Sequence, residues 1–399
     1  MDNEFEQFTR AVQSGDRRAS VSDESKSFER IAVLGGGVDG RVMAALCLAE
    51  GASVTLFSAY GAELNELRQR GGVTLRGEGP VGTFQVDQES IPSIRVTAEL
   101  DAAVADAELI IMTGPVHKQR TYAMVLADHL RDGQTLLITP GRTFSALETR
   151  WLLHVGGCQA DVTIMEMIGL PYFIHDAGGV YELSAVAGVS AGSIPSYSAS
   201  FSGLSQLFAS VSDTQNALQS SLADASGIME CVAFMIGDSL ITEPDNTLPL
   251  GATPLPENHT FHSLLESDTA RNLISYLLAE RRRVASRLGV RHLPDDSTWT
   301  ESVAGASRGA GSRRVPDRAS ARAQLRCAVT GSLVPLQSTG RLLDVATPYT
   351  DAMINMVSAA LGHNLVSAGR QLTNMGIDPG TPDEVRKQLE AAVRGPVNG

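Results

Sequence analysis

The run Arg30–Ser58, RIAVLGGGVDGRVMAALCLAEGASVTLFS, constrains the fold more than any other part of the chain. Ile31-Ala32-Val33-Leu34 is a short apolar run suited to a strand buried on both faces. Gly35-Gly36-Gly37-Val38-Asp39-Gly40 follows and satisfies G-x-G-x-x-G. A helix-like run from Arg41 to Glu50 then leads to a second strand, Ser53–Phe57. Gly35 permits the tight turn, Gly37 lets the backbone approach a pyrophosphate, and Gly40 lets the helix pack close to the strand. The helix N-terminus offers unpaired N–H groups and a positive dipole end to phosphates. A glycine-rich turn alone says little, but a strand before it and a helix and strand after it point to dinucleotide binding. Gly35 to Gly40 are the predicted cofactor loop of a nicotinamide or flavin protein.

The end of the second strand bears on which dinucleotide binds. An Asp or Glu there would hold the ribose 2′-OH of NAD, and its absence leaves room for a 2′-phosphate. Ser58 stands at that position, Glu63 lies several residues further on, and Arg68 and Arg70 follow on the next helix. The expectation is NADP, with NAD also allowed.

The chain has 399 residues, room for two domains. No apolar run reaches the roughly 20 residues of a membrane helix, and the net charge of −13 disfavours nucleic acid and anionic membranes as partners. Lysine is confined to Lys26, Lys118 and Lys387, which excludes most lysine-centred chemistry. Cys47, Cys158, Cys231 and Cys327 are widely spaced, so reduced thiols in a cytoplasmic protein are expected. His259 and His262 lack nearby ligands, and no metal site is expected. Residues 1–28 are polar, contain both Asp and Glu, and read as a disordered tail.

Alternating strands and helices continue past the second strand, with a hairpin-like excursion over 71–86. Strand Glu108–Thr113 ends at Gly114-Pro115-Val116-His117, and strand Thr135–Thr139 ends at Pro140-Gly141-Arg142-Thr143. Ligands of open α/β sheets bind beyond such carboxyl ends. Gly114 and Pro115 are therefore candidate cofactor contacts, and His117 and Arg142 candidate substrate contacts. Val162–Glu166 reads as a further strand and Tyr181–Val186 as the last strand of the sheet. Alternation of this kind gives a doubly wound parallel sheet over 29–207. Helical periods dominate beyond it, over 213–242, 263–288, 298–306, 330–343 and 349–373. Glu243–Asn258 and a Gly/Ser/Arg-rich stretch, Gly305–Arg322, interrupt them, the second read as a mobile loop. A helical domain over 208–385 would form the substrate cleft against the first, with 386–399 a tail. Arg322 and Arg142 are candidate carboxylate clamps.

Several collinear segments resemble the octopine/nopaline (opine) dehydrogenase family. They are Arg70-Gly71-Gly72-Val73 with Gly77-Glu78-Gly79 and Gly82-Thr83; Pro140-Gly141 with Ala146-Leu147-Glu148; Gly331-Ser332-Leu333-Val334-Pro335-Leu336 with Gly340-Arg341 and Thr347–Asp351; and Gly369-Arg370-Gln371-Leu372 with Gly376. The resemblance implies a Rossmann domain plus an all-α C-terminal dehydrogenase domain, 6-phosphogluconate-dehydrogenase-like. It implies NAD(P)H-dependent condensation of an amino acid with a 2-oxo acid. Small metabolites are then the partners, and the oligomeric state, a homodimer included, stays open.

The family's catalytic histidine, in N-x-N-x-x-x-H-P, falls by this resemblance on Glu230 of Asp224-Ala225-Ser226-Gly227-Ile228-Met229-Glu230-Cys231. Its companion aspartate falls on Asp351. A glutamate ordinarily titrates near pH 4.3 and needs a raised pKa to act as an acid at neutral pH. Asp351 beside Glu230 could supply the repulsion, giving a pair that shares a proton. The expectation is a Glu230/Asp351 acid/base pair, with His117 and His262 as other candidates. Alternatives are a dinucleotide-binding protein without turnover, or a non-redox acid/base enzyme.

Overall fold

The computed structural model describes residues 27–241, 259–309 and 311–395. The tail expected over 1–28 lies outside these except for Ser27 and Phe28, and Phe28 is buried. The Glu243–Asn258 interruption also lies outside them.

The first half runs β1 (Arg30–Leu34), α1 (Val38–Ala49), β2 (Ser53–Phe57), α2 (Gly61–Gln69), β3 (Gly72–Gly77), β4 (Gly82–Gln85), β5 (Arg95–Thr97), α3 (Leu100–Val104), β6 (Leu109–Met112), α4 (Val116–Leu126), β7 (Thr135–Gly141), α5 (Ser145–Val155) and β8 (Thr163–Ile168). β9 (Tyr172–Asp176), β10 (Val180–Ala185), β11 (Ser190–Ile194), α6 (Ser200–Leu207) and β12 (Ser212–Asp213) complete it. The main sheet has eight strands in the order β12-β11-β8-β7-β6-β1-β2-β5, parallel from β8 to β5, with β11 antiparallel to β8. Its central strands are apolar throughout because both faces are covered. Ala32, Leu34, Ile110 and Met112 enter one core and Ile31, Val33, Leu109 and Ile111 the other. This is the doubly wound Rossmann domain expected from the sequence.

Tyr181–Val186 does not close that sheet. It forms β10 of a separate four-stranded sheet, order β4-β3-β10-β9. The physical reason lies in its alternation: Tyr181 and Leu183 are buried while Glu182 and Ser184 are partly exposed, the pattern of a strand covered on one face. The main sheet is extended instead by β11, Ser-Ala-Gly-Ser-Ile, whose small residues give no strand signal. Gly192 there lies so close to Asn216 that a Cβ would come within 2.2 Å of its carbonyl oxygen.

The second half is helical: α7 (Ala217–Ala223), α8 (Ser226–Ile236), α9 (Asp268–Arg287), α10 (Asp296–Ala304), α11 (Arg318–Ala328), α12 (Val334–Leu342), α13 (Pro348–Leu361), α14 (Leu365–Ala368) and α15 (Pro382–Arg394). Leu218 and Leu222 of α7 pack in the sheet core, whereas Ile228, Val232, Leu277, Trp299 and Ile354 belong to a separate helical core. The helical period over 213–242 thus breaks at Asp224, which is extended. Two further expectations fail. The stretch read as a loop to Arg322 becomes α11 from Arg318, capped by Asp317. Residues 386–394, read as tail, form most of α15, which has a Thr381/Glu384 capping box and buries Val385, Leu389 and Val393 in a core shared with the main sheet. No helix among the described residues is long and apolar enough to cross a membrane.

Candidate active site

The glycine loop has the close contacts its sequence calls for. Gly35 has φ +125°, and a Cβ there would lie 2.5 Å from Thr113 Oγ1. A Cβ on Gly40 would lie 1.7 Å from the Gly35 carbonyl oxygen, so the loop and α1 can meet only without side chains. Gly37 is exposed, with no atom within 4 Å of its missing Cβ, and it caps α1 without any side-chain hydrogen bond. The first N–H groups of α1 therefore remain available on an open side. These residues fit a dinucleotide diphosphate.

At the end of β2, Ser58 is buried and donates a 2.5 Å hydrogen bond to Glu63 Oε2. That oxygen lies beside Gly36, 2.4 Å from where a Cβ would be. The fold of α2 thus returns a carboxylate to the β2 edge. Arg68 is paired with Asp87 and Arg70 with Glu66, so both guanidinium groups are engaged elsewhere. Gly114, with φ +88°, and Pro115 begin α4. Gln119 donates to the carbonyl oxygens of Gly114 and Pro140, tying the two crossover turns together.

A cleft of about 1580 Å³ opens between the halves, lined by Val38 and Asp39 of α1, Pro140–Arg142 at the end of β7, and Glu230 of α8. Glu230 is 3% exposed and sits between two guanidinium groups. Its Oε1 accepts from Arg313 Nη2 at 2.9 Å. Its Oε2 lies 2.8 Å from Arg142 Nη1, close enough for an ion pair but at an angle outside hydrogen-bond geometry. Arg142 Nη1 also donates to Ser226 Oγ at 3.0 Å. Arg313 is fixed further by Gln324, by the Val303 carbonyl and by the Phe261 ring 4.1 Å away.

Asp224 lies beneath this cluster, fully buried, accepting from Ser332 Oγ at 2.7 Å and from the Ser226 backbone N–H and hydroxyl. Burial alone would raise its pKa, but Arg281, Arg142 and these hydrogen bonds hold it below the usual carboxylate range. Burial opposes the charge of Arg142 and is outweighed by Glu230 and Asp224, which raise its pKa. For Arg313 burial prevails over Glu230 and the pKa falls. Asp39 is pushed up to about 6 by burial, a rise that nearby Arg142 partly offsets. Its carboxylate makes no hydrogen bond or ion pair to the described residues, while solvent still reaches part of the residue.

The structure does not bring Glu230 and Asp351 together as a shared-proton pair. Glu230 faces cations, and Asp351, on α13, accepts from Gln337 Nε2 at 2.6 Å and does not line the cleft. Repulsion between two carboxylates thus has no geometric basis. His117 is exposed on α4 and Arg322 is exposed on α11, both outside the cleft lining. Partial desolvation of its ring, with Lys118, Arg326 and Arg120 nearby, holds His117 below its usual pKa. His262, half-buried near Glu266, also lies outside the lining. Arg142 does line it. Arg313 escaped sequence reading because it stands among Gly, Ser and Arg residues that look like a solvated loop. Gly331 carries a structural signal: a Cβ there would meet Val116 at 2.9 Å and Arg142 Cβ at 3.2 Å, so this glycine lets the helical half close on the arginine. Among the described residues no group of three or more His, Cys, Asp or Glu is arranged to hold a metal ion.

No family profile matches the chain. The opine dehydrogenase of Arthrobacter sp. (strain 1C) is 26% identical over 385 residues, which span 92% of this chain and 99% of that protein. The chain is thus similar to an opine dehydrogenase along nearly its whole length. An octopine dehydrogenase in complex with NADH and agmatine shares its fold with a TM-score of 0.67 at 15% identity, covering 92% of this chain and 98% of the other. A PanE/ApbA family ketopantoate reductase from Ralstonia eutropha JMP134 shares it with a TM-score of 0.56 at 15% identity, covering 84% and 100%. In this chain a Rossmann domain is thus joined to a helical domain, with the Arg142–Glu230–Arg313 cluster between them.

Proposed function

We propose that the protein is a nicotinamide-dependent oxidoreductase that reduces the C=N or C=O group of a small substrate derived from a 2-oxo acid. The observation that carries this reading is that the helix behind the glycine loop and the Arg142–Glu230–Arg313 cluster line one cleft. Bound at the loop, the reduced cofactor supplies a hydride. The chain supplies a cationic anchor, because a 2-oxo acid carries a carboxylate that a guanidinium fork matches. Arg142 engages Ser226 and Glu230 through Nη1, which leaves its other N–H donors for that carboxylate. Glu230 acts as a positioning residue that holds both guanidinium groups.

The oxidation of NADH or NADPH tests the reading, with a panel of 2-oxo acids supplied with and without amino acids. Turnover only with both partners identifies reductive condensation. Turnover with the oxo acid alone identifies a ketoacid reductase. Cofactor binding without turnover on any combination sinks the proposal and favours a sensor or partner subunit, a reading that the immobilised Glu230 at the histidine position would suit.

Glu63 bears on the choice of dinucleotide. Its carboxylate beside Gly36 and Ser58 can accept a ribose 2′-OH and would repel a 2′-phosphate, and Arg68 and Arg70 are already paired. NAD is therefore the proposed cofactor, in place of the NADP expected from Ser58. Glu63→Gln should weaken NADH binding about 10- to 100-fold, as for a lost hydrogen bond to a charged group. NADPH binding should not weaken. Titration of both cofactors by fluorescence decides it, and equal losses for the two would overturn the assignment.

A further inference from the structure

Reduction of a C=N or C=O group needs a proton for the heteroatom, and the cleft carboxylates differ in their freedom to supply one. Glu230 is clamped by Arg142 and Arg313. Asp224 is fixed by Ser226 and Ser332, Glu182 is paired with Arg314, and Asp317 caps α11. Asp176 accepts from the Gly179 N–H. Asp39 has no such partner among the described residues, and it stands in the first turn of α1, between the glycine loop and Arg142.

We propose that Asp39 is the acid/base residue of this cleft, taking up a proton when the dinucleotide binds and passing it to the substrate heteroatom during reduction. The proposal rests on the redox reading above. In the forward step the C=N or C=O carbon receives hydride from the cofactor. The π pair moves to nitrogen or oxygen, which takes the proton from Asp39. Asp39 is left as a carboxylate and is reprotonated from water in the cleft. In sum, reduced cofactor, one proton and the unsaturated substrate give oxidised cofactor and the amine or alcohol.

The coupling to binding follows from charge. A dinucleotide brings a diphosphate to the helix end where Asp39 sits, and like charges disfavour the ionised carboxylate. The other groups around Asp39 are accounted for. Arg142 at the end of β7 attracts its charge, with Glu230 of α8 on the arginine's other side. On its own helix Arg41 is occupied by Glu66 and the Gly36 carbonyl, and reaches Tyr181 of β10. Glu63 of α2 faces Gly36, and Tyr172 and His175 of β9 line the same cleft. Arg30 of β1 pairs with Glu108 at the far end of that strand, Arg76 of β3 is exposed, and β2 and β4 hold no ionisable residue. Its free pKa near 6 already places Asp39 where a bound anion can tip it to the neutral acid.

Calorimetry of NADH binding in two buffers of different ionisation heat, near pH 7, reads the proton directly. The expected result is uptake approaching one proton per site. Affinity should fall by up to tenfold per pH unit as pH rises above the free pKa and below the bound one. Asp39→Asn should abolish both effects while still binding NADH, and His175→Gln should retain them. Where the reductase activity is measured, Asp39→Asn should lose about 10²–10⁴-fold in kcat. Binding by the unaltered protein without proton uptake overturns the proposal, as does uptake that persists in Asp39→Asn or vanishes in His175→Gln. Full uptake with undiminished turnover in Asp39→Asn overturns it as well. No binding of NADH at all would instead sink the redox reading itself. Asp39→Ala serves as a second variant if Asp39→Asn is poorly folded.

Discussion

Glu230→Ala is expected to destabilise the protein by about 3–5 kcal/mol, the cost of removing one partner from a buried charge cluster. The substitution leaves Arg142 and Arg313 largely buried and facing each other without the anion between them. Repulsion and lost hydrogen bonding act together, since Arg313 also anchors Gln324 and the Val303 carbonyl. Denaturant unfolding followed at Trp299, buried in the same helical core, provides the measurement. An unchanged midpoint would show that the cluster is not what holds these elements. Glu230→His should not create an acid/base histidine. An imidazolium between two guanidinium groups is disfavoured, so the ring would stay neutral and the arginines would still lose their anion. The histidine of the family pattern thus cannot be restored here by one substitution. Arg142 and Arg313 would have to change with it.

Arg142→Met is expected to lower kcat/KM for a 2-oxo acid by about 10²–10³-fold, chiefly through KM, because it removes the proposed carboxylate anchor. Loss of structure is separable from loss of substrate binding by using Arg142→Lys. Lysine keeps a positive charge near Glu230 but lacks the planar fork, so stability should largely recover while KM stays high. Equal recovery of both would mean that Arg142 serves the fold alone. An unchanged KM in a folded Arg142→Met protein would remove Arg142 from the substrate site and pass the anchor to Arg313.

The two substitutions touch one network from opposite ends, and their effects should not add. Removing Glu230 and Arg142 together deletes both members of an ion pair and leaves only Arg313 without its anion, where Glu230→Ala alone leaves both arginines without it. The double variant should therefore be more stable than the sum of the single losses.

Much of the first domain was legible because its signals are local. Ile31–Leu34, the glycine loop and the helix after it are defined within some 20 residues by covalent geometry, apolar runs and glycine. The same holds for Leu109–Met112 and Leu136–Ile138, whose uninterrupted apolar character records burial on both faces. β11 was not legible, since Ser-Ala-Gly-Ser-Ile acquires its strand only by pairing with β8 and fitting beneath Asn216. α15 runs past residue 385, where the helical domain was expected to end, although its capping box and amphipathic spacing are plain in the sequence.

The candidate site shows the same division more sharply. The chain by itself determined a dinucleotide loop, an arginine at the end of β7, and a glutamate where the family pattern has histidine. Only the tertiary structure decided that Glu230 meets Arg142 and Arg313 and not Asp351, that Glu63 folds back to the β2 edge, and that the Asp39 carboxylate is left without a partner among the described residues. Arg313 is 83 residues from Glu230 along the chain, and no local rule links them. The reason is physical: a side chain's type is fixed by its sequence, but its charge state and its work are set by the neighbours that burial forces on it.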